Sequence, residues 1–297
     1  MAAGPPDRAG GRVGRGIILA LVAATLFGIS GSVAFDAFDR LRPAQVAQAR
    51  SLIALAVLAP VAWRRRQIDH GGRLIELMGL GAVLAGVTVT YYLAIERLGV
   101  GPGVTTQFLG PVLVLFWIRL VRRRTVPGPA WTAAGLAVAG VALVAGVRTG
   151  STDRLGLAWA LVSAVLFAAY LIIGERLVAR LSALAAITYG LAFSSLIWLV
   201  FVPLPPTSEL FASAPHLLWI GLAGTAAPFL IQMEALRAAS AALVGVTATA
   251  EPVMAAAAAW LALDQRMGGL QMAGAAMVVA AVATIRRTTP SWVPGPQ

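Results

Sequence analysis

The chain contains no cysteine and no lysine, and only 12% of its 297 residues are charged. Without cysteine it cannot form a disulfide framework, a thiolate nucleophile or a thiolate metal site. Apolar residues make up 59% of the sequence, and the mean hydropathy of +0.83 lies well outside the range of ordinary soluble domains. The composition therefore predicts an integral membrane protein.

Ten apolar runs are long enough to cross a bilayer, because a spanning helix needs roughly 20 mostly apolar residues. Each run is continuously apolar instead of alternating, which favours helices over a barrel. The predicted fold class is therefore an all-α integral membrane protein with ten transmembrane helices. The predicted spans are about 16–34, 43–62, 74–94, 101–121, 128–147, 155–174, 182–203, 215–235, 239–262 and 268–285.

The arginines between these runs predict the orientation. With the N-terminus inside, sixteen arginines fall in inner segments and six in outer segments, in agreement with the positive-inside rule. We therefore expect a multi-pass protein of the cell inner membrane, with cytoplasmic tails at 1–15 and 288–297. The net charge of +11 is thus explained by topology, and no nucleic-acid partner is predicted. The outer arginines are Arg40, Arg42, Arg97, Arg148, Arg154 and Arg266.

An internal repeat connects the two halves of the chain. LVAATLFGIS, which contains Phe27, aligns with LVSAVLFAAY, which contains Phe167, at an offset of 140 residues. FLGPV aligns with TAEPV at an offset of 141, so that Pro111 lies opposite Pro252. Chance similarity between alanine-rich helices is the alternative explanation.

The repeat predicts two units of five helices, 16–147 and 155–287. Because five is odd, the second unit is expected to be inverted in the membrane relative to the first. Inverted repeats of this kind permit alternating access to a site near the midplane of the bilayer.

Three stretches of this sequence resemble a known family. They are QARSLIALAV with Arg50, YYLAIERLGVGPGVTTQFLGPVLVLF across the third and fourth spans, and ATAEPVMAAAAAWLALDQRMGGLQMAGAAMVVA across the ninth and tenth. In this order they resemble the drug/metabolite transporter superfamily and its EamA-type members, over about residues 16–287. Within that superfamily they are most similar to the threonine/homoserine exporter group. The resemblance implies ten helices, two EamA repeats and export of amino acids.

The chain departs from this family at two places. Relatives often carry a glutamate where Gln107 stands, at a position expected to face the pathway. The glycine-glutamate pair common after the ninth helix is replaced by Asp264 and Gln265. Both departures bear on which substrate is recognised more than on the predicted fold.

Glu251 lies near the centre of the ninth span, where a charge costs about 2.5–3.5 kcal/mol on insertion scales. Two interpretations follow. Glu251 lines a central cavity and binds a substrate amine or a proton, or it is a neutral acid that ties its helix to a neighbour. Thr247 lies one turn earlier on the same face and is expected to join it.

Other polar groups within the spans are candidates for the same pathway. Arg50 is either an arginine that reaches the outer interface or a contact for a substrate carboxylate or a structural partner. Tyr91 and Tyr92 are typical of an interfacial belt, but one of them must face inward, and Tyr92 is assigned to the pathway. The remaining pathway candidates are Gln107, Tyr170 and Gln232.

Pro111 and Pro252 lack an amide hydrogen and leave the carbonyls of Gln107 and Ala248 without their helical partners. They are expected to kink their helices, either as hinges or cavity acceptors or as fixed bends for packing. Gly110, which shares a face with Gln107, is aligned with Glu251 by the repeat.

No enzyme is predicted, because neither histidine lies at membrane depth, no aspartate pair is buried, and no metalloprotease, P-loop or serine-hydrolase motif occurs. No catalytic residue, metal site or cofactor is expected. We predict a secondary transporter of amino acids or similar small polar metabolites, directed outward. A channel, a structural membrane protein and a transporter of another metabolite or drug class are the alternatives. The partners are a small-molecule substrate and the lipid bilayer; protons as coupling ion and a homodimer remain open.

Overall fold

A computed structural model describes residues 7–98, 100–144, 153–263 and 268–288 of the chain. Within these ranges the regular structure is helical, and no strand occurs. Several positions named above lie outside the described residues: Arg148, Asp264, Gln265, Arg266 and most of the predicted C-terminal tail.

The helices follow one another with short connections. In chain order they are α1 (Asp7–Asp36), α2 (Pro43–Arg64), α3 (Leu74–Leu98), α4 (Val100–Gln107), α5 (Gly110–Leu120), α6 (Gly128–Val144), α7 (Arg154–Val178), α8 (Ala183–Phe201), α9 (Thr207–Ala212), α10 (Ala214–Gly221), α11 (Ala227–Ala238), α12 (Ala241–Ala248), α13 (Glu251–Leu263) and α14 (Gly269–Thr288). A 3₁₀ turn, Ala37–Asp39, follows α1, and a π-helical turn, Leu222–Ala226, joins α10 to α11.

Among the described residues, eight helical segments are long and apolar enough to cross a membrane. Two shorter apolar segments, Gly128–Val144 and Ala241–Ala257, coincide with the fifth and ninth predicted spans. Many apolar side chains on the long segments are exposed, as expected for surfaces that contact lipid. Length and composition therefore support a multi-pass, all-helical membrane protein with at least eight crossings.

The packing of the helices repeats between the two halves. When the halves are exchanged according to the repeat, α1 corresponds to α7, α2 to α8, α3 to α10–α11, α4–α5 to α12–α13, and α6 to α14. The pair α1 and α11 then becomes the pair α7 and α3, and both pairs are in contact. The pairs α2 with α8 and α6 with α14 map onto themselves and are also packed together. The core is therefore an interface between two similar units.

Glycine allows the closest of these helices to touch. Where α6 crosses α14, a Cβ added to Gly140 would lie 2.7 Å from the Gly274 carbonyl oxygen, and one added to Gly274 would lie 2.6 Å from the Gly140 oxygen. No side chain fits at either position. Small residues at helix crossings are the usual way in which membrane helices pack closely.

Candidate functional site

Both repeats contain a broken helix at the same place. The helix formed by α4 and α5 is interrupted between Gln107 and Gly110, and the one formed by α12 and α13 between Ala248 and Glu251. In the first break Leu109 N donates to Thr106 O at 3.1 Å, three residues back instead of four. In the second break Thr249 N donates in the same way to Val246 O at 3.3 Å and Ala250 N to Thr247 O at 3.1 Å. Pro111 and Pro252 are each the second residue of the helix that follows.

A cavity of about 80 Å³ lies between the two breaks. A water molecule needs roughly 10–15 Å³ of such space, so the cavity has room for several waters or a small polar solute. Both repeats contribute to its wall. The lining residues are Phe27, Arg50, Val87, Thr88, Tyr91, Gln107, Phe108, Phe167, Tyr170, Phe229, Gln232 and Glu251.

Arg50 supplies positive charge to the cavity. Its side chain is buried, so the interpretation of Arg50 as an arginine that reaches the outer interface is wrong. Its Nε donates to Thr225 Oγ1 at 2.7 Å, its Nη1 to Tyr92 OH at 2.7 Å and its Nη2 to the Gly224 carbonyl oxygen at 2.6 Å. The guanidinium also lies 5.7 Å and 5.8 Å from the ring centres of Tyr92 and Phe229. Its position is thus fixed from several sides.

The carboxyl group of Glu251 lies on the wall of the same cavity. Among the described residues no ion pair joins the carboxyl group of Glu251 to the guanidinium of Arg50. The guanidinium and the carboxyl group therefore line one cavity without pairing directly. Such an arrangement can accept a ligand that carries both a cation and an anion.

Two further polar side chains on the cavity wall lack hydrogen-bond partners. The hydroxyl of Tyr170 and Oε1 of Gln232 are both buried and unpaired among the described residues, and each residue is only 1% exposed. Leaving a buried polar atom unpaired costs about 1–3 kcal/mol. Water or a ligand in the cavity would remove this cost, so both groups point to a site that is filled in use.

Aromatic rings form much of the remaining wall. Phe27 meets Phe229 with ring centres 5.0 Å apart, Phe229 meets Tyr170 at 5.6 Å, and Tyr170 is stacked on Phe167 at 6.3 Å. Phe108 extends the series at 6.0 Å from Phe167. Contacts of this kind hold the rings in place, so the charged groups face a largely apolar surface.

The structure brings five of the seven pathway candidates to the cavity: Arg50, Gln107, Tyr170, Gln232 and Glu251. Tyr91, and not Tyr92, lines it, while Tyr92 accepts a hydrogen bond from Arg50 behind the wall. Thr247 does not line the cavity, and its hydroxyl donates to the Leu243 carbonyl oxygen at 2.7 Å within its own helix.

Sequence reasoning missed several residues of the site. Phe27 and Phe167 were landmarks of the repeat, and their alignment could have placed both at the centre. Thr225 and Gly224, which hold Arg50, were not identified. The signal in the sequence is Pro228, because it removes the amide that would otherwise bind the Gly224 carbonyl in an α-helix.

Comparison with known proteins gives a consistent result. The model of the EamA-like transporter family matches residues 14–146 and 154–287. The chain is 28% identical over 291 residues to the threonine/homoserine exporter RhtA of Salmonella typhimurium strain SL1344, covering 91% of this chain and 92% of that one. It is 26% identical over 273 residues to RhtA of Escherichia coli strain K12, covering 89% of each chain.

A solved structure with 18% sequence identity has a TM-score of 0.74 and covers 92% of this chain and 97% of its own. At this identity the likeness shows the fold alone. It agrees with the helical architecture described above.

Proposed function

Since the chain belongs to the EamA-like transporter family, we propose that it is a secondary transporter that exports amino acids or similar small polar metabolites. The observation that carries this proposal is the cavity between the repeats, with Arg50 and Glu251 on its wall. The names of its relatives, which are threonine/homoserine exporters, support the substrate class and the outward direction. The sequence contains no nucleotide-binding motif, so transport would be driven by a gradient.

A zwitterionic amino acid matches the two charges. The guanidinium has five N–H donors, of which three are used by Thr225, Tyr92 and Gly224, and two remain for a substrate carboxylate. The substrate ammonium would bind Glu251. The unpaired groups of Tyr170 and Gln232 would contact the rest of a polar substrate. A proton on Glu251 could replace the ammonium, which would make protons the coupling ion.

In the membrane, the chain would cross ten times, with both termini in the cytoplasm. The segments Gly128–Val144 and Ala241–Ala257 would be the two short crossings. The second repeat would then be inverted relative to the first, and rocking of the repeats would expose the cavity to each side in turn.

Contacts between the repeats would have to break and form during this motion. Glu175 in the second repeat accepts from Arg122 of the first at 2.9 Å. Gln48 in the first repeat donates to the carbonyl oxygens of Trp198 and Val202 in the second, at 3.1 Å and 2.7 Å. By the predicted topology, the pair of Glu175 and Arg122 lies on the cytoplasmic side, and the hydrogen bonds of Gln48 lie on the outer side.

Flux in proteoliposomes tests the function. Uptake and efflux of a panel of labelled amino acids, including threonine and homoserine, are measured with and without a pH gradient for wild type, Glu251→Gln and Glu76→Gln. Glu76 pairs with Arg73 at the start of α3 and serves as the control. We expect saturable flux that Glu251→Gln lowers at least about tenfold and Glu76→Gln leaves unchanged. Unsaturable flux would indicate a channel, and no flux of any amino acid would overturn the substrate class.

Accessibility of a cysteine tests the mechanism. Because the chain has no cysteine, Thr88→Cys introduces the only thiol, on the cavity wall. A membrane-impermeant maleimide is applied from either side. We expect Glu175→Gln to increase labelling from the cytoplasmic side, since it weakens contacts between the repeats, whereas Glu234→Gln, in a pair within one helix, changes nothing. Labelling from one side only under all conditions would contradict alternating access.

A further inference from the structure

The turn that holds Arg50 is a π-helical turn, Leu222–Ala226, between α10 and α11. Thr225 makes two hydrogen bonds there. Its hydroxyl donates to the Ile220 carbonyl oxygen at 2.7 Å, five residues earlier, and accepts from Arg50 Nε at 2.7 Å. Because the hydroxyl has only one hydrogen and gives it to Ile220, its lone pairs are directed to the guanidinium. Single π-helical turns are frequent at functional sites.

The neighbouring carbonyl is free for the same arginine. In an α-helix the Gly224 oxygen would accept from the amide of residue 228, which is Pro228 and has no hydrogen. Arg50 Nη2 occupies that oxygen at 2.6 Å. Gly224 itself must remain small, because an added Cβ would lie 2.8 Å from Cβ of Ser30 on α1.

This support exists in only one of the two repeats. The offset of 140 aligns Arg50 with Gly190 and Gly224 with Leu84. In the other half a Cβ on Gly190 would lie 2.9 Å from Leu84 Cδ1, so the matching contact is wholly apolar. The helix of Leu84, α3, also runs without interruption through this position. The hydrogen bonds between Arg50 and this turn therefore occur in one repeat only, at a helix contact that both repeats have.

We propose that Thr225 is a positioning residue that makes transport selective for substrates with a free carboxylate. By binding Nε, Thr225 fixes the plane of the guanidinium, while Tyr92 and Gly224 fix its two ends. The two remaining N–H groups are then presented to the carboxylate in a fixed direction. A site with such fixed donors rejects an analogue that lacks the matching acceptor more strongly than a flexible site does. This inference rests on the proposed function.

The test compares an amino acid with its carboxamide. Transport of labelled L-threonine, and its inhibition by unlabelled L-threonine and L-threonine amide, are measured in proteoliposomes for wild type, Thr225→Val and Thr225→Ser. Valine keeps the shape and removes the hydroxyl, whereas serine keeps the hydroxyl. We expect Thr225→Val to raise the KM for threonine roughly tenfold with a smaller change in maximal rate, and to leave inhibition by the amide unchanged. Thr225→Ser should remain within about twofold of wild type.

The outcomes separate the two proposals. If wild type transports no amino acid, the proposed function fails. If wild type transports threonine and Thr225→Val keeps the wild-type preference for acid over amide, only the role of Thr225 is overturned. If Thr225→Val does not accumulate in the membrane, Thr225→Ala, which cannot clash, is measured instead. Failure of both variants to fold, with Thr225→Ser intact, would assign Thr225 to folding and overturn the inference.

Discussion

The two helix breaks are alike in backbone and different in chemistry. Both lie before a proline, and both contain an amide that bonds three residues back. In the first break the residue that starts the new helix is Gly110, and in the second it is Glu251. The backbone geometry thus belongs to the repeat, whereas the acid belongs to one copy only.

The packing partners change in the opposite sense. Glu251 packs against Gly28 of α1, which the repeat aligns with Ala168 of α7, and Ala168 lies beside Gly110. Glu251, the larger residue at its break, lies beside glycine, whereas Gly110, the smaller one, lies beside alanine. Gly28 thus lets α1 approach the backbone of the second break, where the Glu251 carbonyl lies.

The largest expected effect comes from filling that space. A Cβ in Gly28→Ala would lie 2.6 Å from the Glu251 carbonyl oxygen, an atom of the backbone that cannot move aside. We expect a loss of about 1–3 kcal/mol in stability and loss of transport. Gly110→Ala is the matched control, since its closest contact, at 2.8 Å, is Phe167 Cδ1 at the edge of a side chain. Thermal unfolding in detergent measures both, and equal shifts would contradict the comparison.

A second carboxylate would place an acid on both repeats instead of one. Gln107→Glu places a carboxyl group of the first repeat in the cavity, which Glu251 of the second repeat also lines. The additional negative charge should weaken the binding of a zwitterion roughly tenfold and favour cationic amides. Gln107→Leu separates the effect of charge from the loss of the amide. Competition between an amino acid and its amide gives the result, and an unchanged preference in Gln107→Glu would show that residue 107 does not contact the substrate.

The prolines should behave as an equivalent pair. Pro111→Ala and Pro252→Ala each restore an amide whose helical acceptors would be the carbonyls of Gln107 and Ala248. We expect each variant to straighten its helix in part and to lower turnover a few-fold, with similar size in both. If the breaks act independently, the double variant multiplies the two effects. An effect confined to Pro252→Ala would link the bend to Glu251 instead of to the repeat.

The smallest effect is expected at the start of α7. Asp153 accepts from the amides of Leu155 and Gly156 and pairs with Arg97 at 3.1 Å, whereas the aligned Val13 offers no acceptor. The bond from the Gly156 amide, followed by that from Arg97, lowers the pKa of Asp153 below its usual value of 3.8. The ionised form therefore stabilises the fold at neutral pH, and this contribution is lost as the pH falls below about 4.

Asp153→Asn keeps an oxygen for the cap and removes the charge. The expected decrease in Tm at neutral pH is slight, because the pair is exposed to solvent. Once the pH has fallen through the lowered pKa of Asp153, the variant and wild type should unfold at the same temperature. A difference in Tm that persists at this low pH would mean that asparagine and aspartate differ as helix caps and not only in charge.

Much of the site could be predicted because polar residues are rare in these helices. Glu251, Arg50 and Gln107 were conspicuous among apolar neighbours, and the structure brings all three to one cavity. Thr247 was placed on the face of Glu251 by helical periodicity, but the helix is interrupted at Ala248, so the two residues no longer share a face. Which of Tyr91 and Tyr92 faces inward depends on the neighbours of α3, and the sequence of that helix does not specify them.

The sequence by itself determined the helical membrane class, the repeat and the identity of the polar groups within the spans, because hydropathy and spacing are properties of the chain. Only the tertiary structure decided which of these groups face one another. Thr225 and the Gly224 carbonyl hold Arg50 from 175 and 174 residues away along the chain. Contacts at that separation depend on how the two repeats pack, and the sequence pattern within a single helix contains no information about them.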